Sequence, residues 1–125
     1  MALGFERNRP AAGPLVRGFA PDGFSVDGTT YRAVLLTPGA ATAWEPPSLA
    51  DLAAEHLAPI LALEPTPEFI ILGSGAAMAF APRALVADLE ARGIGLEAMD
   101  SRAAARTWGL LRAEERWIAA ALMPL

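Results

Sequence analysis

A block of four apolar residues closed by two glycines sets the fold of this chain. Phe69, Ile70, Ile71 and Leu72 run without a polar interruption, and Gly73-Ser74-Gly75 follows at once. A strand wetted on one face alternates apolar and polar side chains, so this block reads as a strand buried on both faces. The glycines end it in a tight turn that calls for positive φ or close approach by another group. A helical pattern starts at Pro82, which suits a first helical position, with Leu85, Val86 and Leu89 as its apolar stripe. Gly93 is a natural stop, and Ile94, Leu96 and Met99 form the next strand. Strand, glycine turn, helix, strand is the order of a parallel βαβ unit with a right-handed crossover.

The rest of the chain is arranged around that unit. Residues 1–16 hold Gly4, Pro10, Gly13 and Pro14 among few apolar positions and read as a flexible arm, leaving residues 17–125 as one α/β domain. Phe24, Val26, Tyr31, Ala33 and Leu35 alternate around Asp27-Gly28, which predicts a hairpin from about Phe19 to Thr37 through a type I′ turn. Residues 40–47 read as a loop or short irregular strand around Trp44. Ser48, with Asp51 three residues on, is an N-cap for a helix from Leu49 to Leu57 that Pro59 ends. Asp100 or Ser101 caps a further helix, in which Ala104, Trp108 and Leu111 share a face. The apolar run from Trp117 to Leu122 is a buried strand. The expected fold is a mixed β-sheet with an N-terminal hairpin, a βαβ unit and about three helices.

Composition excludes several classes of function. With 14 acidic residues against 10 basic ones, every one of them Arg, the formal charge of −4 disfavours nucleic acid, which needs a basic face to neutralise phosphates. No Cys is present, so disulfides, thiolate nucleophiles and Cys-held metals are ruled out. One His and scattered carboxylates give no metal-ligand spacing, and no cofactor is expected. The longest uncharged run, residues 69–82, falls short of the ~20 apolar residues of a membrane span. The N-terminal residues lack the apolar core of a secretory signal, so a cytoplasmic protein is expected, peripheral at a membrane only through a partner.

Candidate chemistry gathers at the glycine turn. The amides of Gly73, Ser74 and Gly75, beyond the end of a buried strand, have the makings of an anion-binding nest. The turn is no dinucleotide fingerprint, because Met78 takes the third glycine position, and no nucleophile elbow, because Gly and Ser are adjacent. Its plain reading is a structural turn. A triad of Ser74, His56 and Asp100 has no spacing to support it, and His56 lies on an apolar helical pattern. Asp100 reads first as a helix cap and second as a pocket neighbour of Ser74, with Arg106 on the following helix able to reach the same edge. Trp108 and Trp117 read as core. Trp44, in a loop, is the expected partner contact.

Four ordered segments carry a family resemblance: Ile71-Leu72-Gly73-Ser74-Gly75, the stretch from Gly93 to Ser101, the stretch from Ala103 to Trp108, and the stretch from Glu114 to Leu122. Together with Phe24-Ser25-Val26-Asp27-Gly28, this set resembles the Mth938-like family, over residues 18–124. The resemblance implies a single mixed-sheet α/β domain and, from the family's mitochondrial members, a non-catalytic helper in assembly of respiratory complex I. It implies a protein partner such as a respiratory-complex subunit, leaves homo-oligomers open, and carries over no catalytic residue. This chain departs from the family pattern with Ser101 for a usual Thr, Gly109 for a common Asn and Glu115 for a frequent Gly. The alternative reading is a small-anion or metabolite-binding domain, or an enzyme of another kind, using Gly73, Ser74, Gly75, Asp100 and Arg106.

Overall fold

The computed structural model describes residues 13–125. Strands β1 (Val16–Ala20), β2 (Gly23–Val26) and β3 (Thr29–Tyr31) form an antiparallel three-stranded sheet in that order. Strands β4 (Val34–Thr37), β5 (Ala40–Ala43), β6 (Phe69–Gly73), β7 (Gly95–Met99) and β8 (Ala119–Leu122) form a five-stranded sheet of order β5-β4-β8-β6-β7. Within it β6 pairs in parallel with both β7 and β8, while β8 is antiparallel to β4 and β4 to β5. The mixed sheet and the parallel βαβ unit are those the sequence predicts.

The Asp27-Gly28 turn joins β2 to β3 with positive φ at both residues, 50° and 90°, as a type I′ turn requires. The hairpin stops at Tyr31 rather than running to Thr37. Thr29 and Thr30 are exposed, whereas Val34, Leu35 and Leu36 are buried on both faces. A strand buried on both faces belongs inside a covered sheet, so the chain bends at Arg32 and Ala33 and enters the larger sheet. Beyond it, Pro38-Gly39 turns the chain into a second antiparallel pair, in which Thr37 faces Ala40.

The five-stranded sheet separates two apolar clusters, and alternate residues of each strand feed opposite sides. Ala33, Leu35, Ile70, Leu72, Ala119 and Ala121 meet Leu57, Ile60, Leu85 and Leu89 on one face. Val34, Leu36, Ile71, Ala120 and Leu122 meet Phe24, Val26, Ala104 and Trp108 on the other. Helix α2 (Arg83–Ala91) therefore covers the first face, and α3 (Ser101–Ala113) covers the second beside the small sheet. From β6 the chain crosses by α2 outward to β7, then by α3 back past β6 to β8. Opposite directions on opposite faces give the two crossovers the same hand.

Residues 49–57 are not the single helix their spacing suggests. They form 3₁₀ turns at Leu49–Asp51 and Ala54–Leu57, followed by one α-turn, α1 (Ala58–Leu61). Leu52 and Ala53 between the turns are extended, and the Ala53 amide donates to His56 Nδ1 at 3.0 Å. Pro59 opens α1 instead of closing a helix, because its missing N–H is harmless only in a first turn. The broken path lets Leu52, Leu57 and Ile60 all reach the core.

The N-terminal arm falls mostly on residues 1–12, outside the described residues. Pro14, near its end, is buried, and its carbonyl accepts the indole N–H of Trp108 at 2.8 Å.

Both long helices end alike. After α2, the amides of Gly93 and Ile94 donate to the carbonyls of Glu90 and Leu89. After α3, those of Glu115 and Arg116 donate to Arg112 and Leu111 in the same pattern. This is the Schellman arrangement, with a left-handed residue just past the helix. That residue is Gly93 (φ 79°) in one case and Glu115 (φ 60°) in the other. Glu for Gly therefore leaves the turn as it is. Arg116 then pairs with Glu68 at 2.8 Å, which raises the guanidinium pKa, and ties the approach to β8 to the start of β6.

Candidate functional site

The two crossovers leave β6 and β7 toward opposite faces, so the carboxyl ends of these strands flank a topological switch point, where open α/β sheets bind ligands. Gly73, Ser74 and Gly75 stand on one side of it and Asp100 with Ser101 on the other. In this protein the crevice is stitched shut. The Ser74 amide donates to Met99 O at 2.8 Å, the Gly75 amide to Ser101 Oγ at 2.9 Å, and the Ser101 amide to Gly75 O at 2.8 Å. Ser101 Oγ in turn donates to Met123 O at 2.8 Å, so one buried hydroxyl joins the exits of β6 and β8 to the first turn of α3. The Ser74 and Gly75 amides, expected to cradle an anion, are consumed inside the protein.

Ser74 uses its hydroxyl to shape the loop after β6. Its Oγ lies 2.8 Å from Ala77 O and 3.1 Å from Met99 O, and accepts the Ala79 amide at 3.0 Å. A hydroxyl so engaged is a loop organiser. No hydrogen bond connects it to His56, whose Nδ1 takes the Ala53 amide, so the triad is not assembled among the described residues. The loop it folds holds out two large apolar side chains, with Phe80 81% and Met78 47% exposed. Residues 69–82 contain no charge, yet the buried strand ends at Gly73, so nine of these fourteen residues lie outside the sheet. That excess was the signal in the sequence for Met78 and Phe80 as surface residues.

The remaining candidates separate. Asp100 is the N-cap of α3, its Oδ1 accepting the Ala103 amide at 2.9 Å. Arg106 projects from the exposed face of α3, with no hydrogen bond or ion pair to Asp100. Trp44 is not the exposed contact its loop position suggested. It is 8% exposed, sits in the cluster with Leu52 and Leu57, and donates its indole N–H to His56 O at 2.9 Å. The turn at Ala54–Leu57 closes over it, which sequence spacing did not foretell. Trp108 is fully buried as expected, while Trp117 lies at the rim, with its indole N–H on Pro65 O.

Two open clefts of about 430 and 470 Å³ flank the small sheet. Neither is lined by Gly73, Ser74, Gly75, Asp100 or Arg106. Among the described residues no three His, Asp or Glu side chains are grouped to hold a metal ion, and no helix is long and apolar enough to cross a membrane.

Comparison with known proteins places this arrangement in a family. Residues 16–123 match the model described as "Protein of unknown function (DUF498/DUF598)". The chain is 33% identical over 124 residues, 98% of its own length and 71% of the relative's, to a zebrafish (Danio rerio) protein named NADH dehydrogenase [ubiquinone] 1 alpha subcomplex assembly factor 3. A crystal structure of a Bordetella parapertussis protein superposes with a TM-score of 0.80 at 32% identity, covering 90% of this chain and 96% of that one. The solution structure of a Bordetella pertussis protein described as an Mth938-like domain gives a TM-score of 0.78 at 27% identity, covering 99% and 92%. The sealed switch point and the apolar loop thus sit on a shared fold, and the chain belongs to the Mth938-like (DUF498/DUF598) family.

Proposed function

We propose that this protein is a non-catalytic helper that holds a protein partner during assembly of a membrane-bound respiratory complex, acting from solution and touching the partner through residues 76–81. The observation that carries the reading is the loop itself, with Phe80 81% exposed just beyond a turn fixed by three Ser74 contacts. A solvent-exposed Phe beside Met is unfavourable on a free surface, and aromatic and Met side chains are enriched at interface centres. The likeness to a protein named as an assembly factor supplies the kind of partner. The sealed switch point supports a binding role over catalysis, since it presents no nucleophile–base pair.

The test is a tagged pull-down from membrane and soluble fractions, with wild type and a Met78→Asp/Phe80→Asp variant side by side. The reading expects a respiratory-complex subunit with wild type and its loss with the variant, at unchanged melting temperature. Recovery of no membrane-complex subunit by wild type overturns the assembly role. Equal recovery by the variant overturns the loop as the contact.

A further inference from the structure

A second surface, formed by α3 and the edge strand β1, has a different chemistry. From Ser101 to Ala113, α3 carries Arg102, Arg106 and Arg112 and no carboxylate, in a chain whose acidic residues outnumber basic ones by 14 to 10. Arg112 is buried and donates to Arg116 O. Arg102 and Arg106 are exposed, one turn apart, and no salt bridge reaches either among the described residues. Like charges at i and i+4 repel, and a cation in the first turn of a helix, as at Arg102, opposes its dipole. Neither position brings the fold a compensating ion pair.

Apolar groups stand beside the two cations. The Arg102 guanidinium lies 4.9 Å from the centroid of the Phe19 ring, which holds the arginine against β1. Phe19 is 38% exposed and rests edge-on against Phe24. Leu110, 69% exposed, continues the Arg102–Arg106 stripe one turn further. The next residue back, Gly109, has open space where a β-carbon would be, so nothing walls the stripe off there. The result is a face about 12 Å long on α3, by a rise of ~1.5 Å per residue, with an aromatic at one end and an aliphatic at the other.

We infer that this face docks an acidic, amphipathic segment of a protein partner, its carboxylates meeting Arg102 and Arg106 and its apolar residues meeting Phe19 and Leu110. Charge complementarity selects this occupant, since guanidinium forks pair carboxylates in a bidentate, directional way. A lipid surface is the poorer fit, because the two apolar groups, Phe19 and Leu110, are separated by cations instead of forming one band. The inference stands apart from the loop at residues 76–81, and each can fail without the other.

The test places a photo-crosslinking amino acid at Leu110 of the full chain in cells and identifies the adducted peptide by mass spectrometry. That peptide, synthesised, is then titrated against wild type and an Arg102→Glu/Arg106→Glu variant, at low and physiological salt. Support is an acidic, apolar peptide whose affinity falls at least ~10-fold with the variant and with salt, and whose binding to the variant recovers when its carboxylates are exchanged for Lys. An adduct with a neutral or basic peptide, with a second copy of this chain, or with residues 1–12 of the same chain overturns it. So does the absence of an adduct, or an affinity indifferent to the charge reversal. Binding of wild type to vesicles rich in phosphatidylglycerol, abolished by the same reversal, assigns the face to lipid and also overturns it. The variant's melting temperature is expected to stay close to wild type, because both side chains are exposed and an acid at position 102, in the first turn of α3, offsets the lost contact with Phe19.

Discussion

Gly73 lies so close to Ser101 that a β-carbon built on it would stand 2.7 Å from Ser101 Oγ and 2.9 Å from Ser101 Cα. The first distance involves a side chain; the second involves backbone. Gly73→Ala should therefore destabilise by about 1–3 kcal/mol, the range for overpacking a core. Because the clash with the Ser101 backbone remains when Oγ is removed, Ser101→Ala in the same chain should not rescue it. Urea unfolding of the two single variants and the double variant decides this. Recovery of wild-type stability in the double variant would show that Oγ alone sets the constraint.

Ser101→Ala alone strands the buried Gly75 amide and the Met123 carbonyl. The expected cost is about 1–3 kcal/mol for each buried group left without a partner. Ser101→Thr keeps the hydroxyl and should retain most of the stability. Equal losses for Ala and Thr would mean that space, not hydrogen bonding, is what the position controls.

The two Schellman turns make an internal comparison. Glu115→Gly should stabilise the protein by about 0.5–1 kcal/mol, because only glycine adopts left-handed φ without steric cost. Gly93→Ala should destabilise by about 1 kcal/mol for the same reason, since open space surrounds its β-carbon position and only φ is at issue. Thermal melts of both variants suffice. A Glu115→Gly variant no more stable than wild type would mean that the Glu side chain contributes something the αL strain conceals.

Trp44 and Phe80 should respond in opposite ways to truncation. Trp44→Ala removes a buried ring and its hydrogen bond to His56 O, at a cost of about 3–5 kcal/mol. Phe80→Ala should stay within about 0.5 kcal/mol of wild type, as expected for an exposed side chain. If Phe80→Ala unfolds as readily as Trp44→Ala, the loop is a structural element and not a free contact surface.

Ser74→Ala should loosen the loop more than the domain. Hydrogen exchange at the Ala79 amide is expected to accelerate, with global stability lower by about 1 kcal/mol. Unchanged exchange at Ala79 would show that the loop is held by something other than the Ser74 hydroxyl.

The elements legible in the sequence were those whose signals are local. The Asp27-Gly28 turn, the doubly buried β6, the Gly93 stop and the Asp100 cap each depend on a few adjacent residues, and each is found. Features decided by distant partners escaped. Leu49, Leu52, His56 and Ile60 have helical spacing, but His56 Nδ1 and the core beneath Leu57 break the helix. Trp44 sits beside prolines, as a surface loop would, yet its cover comes from a turn about ten residues later. The glycine turn has the local pattern of an anion nest, but its amides are spent on Met99 and Ser101, about 25 residues downstream. Phe80 was hidden the other way, as an apolar residue in an apolar run that leaves the sheet without changing composition.

Strand β8 lies between β4 and β6, and among the described residues no other strand bonds the antiparallel pair β4–β5 to the parallel pair β6–β7. Among the described residues it follows the other seven strands in the chain. A nascent chain lacking it has two sheet fragments with bare inner edges and a divided core, a condition prone to mispairing. Closure is then a long-range event, and a longer-lived open state before β8 docks should lower how much of this protein a cell recovers folded.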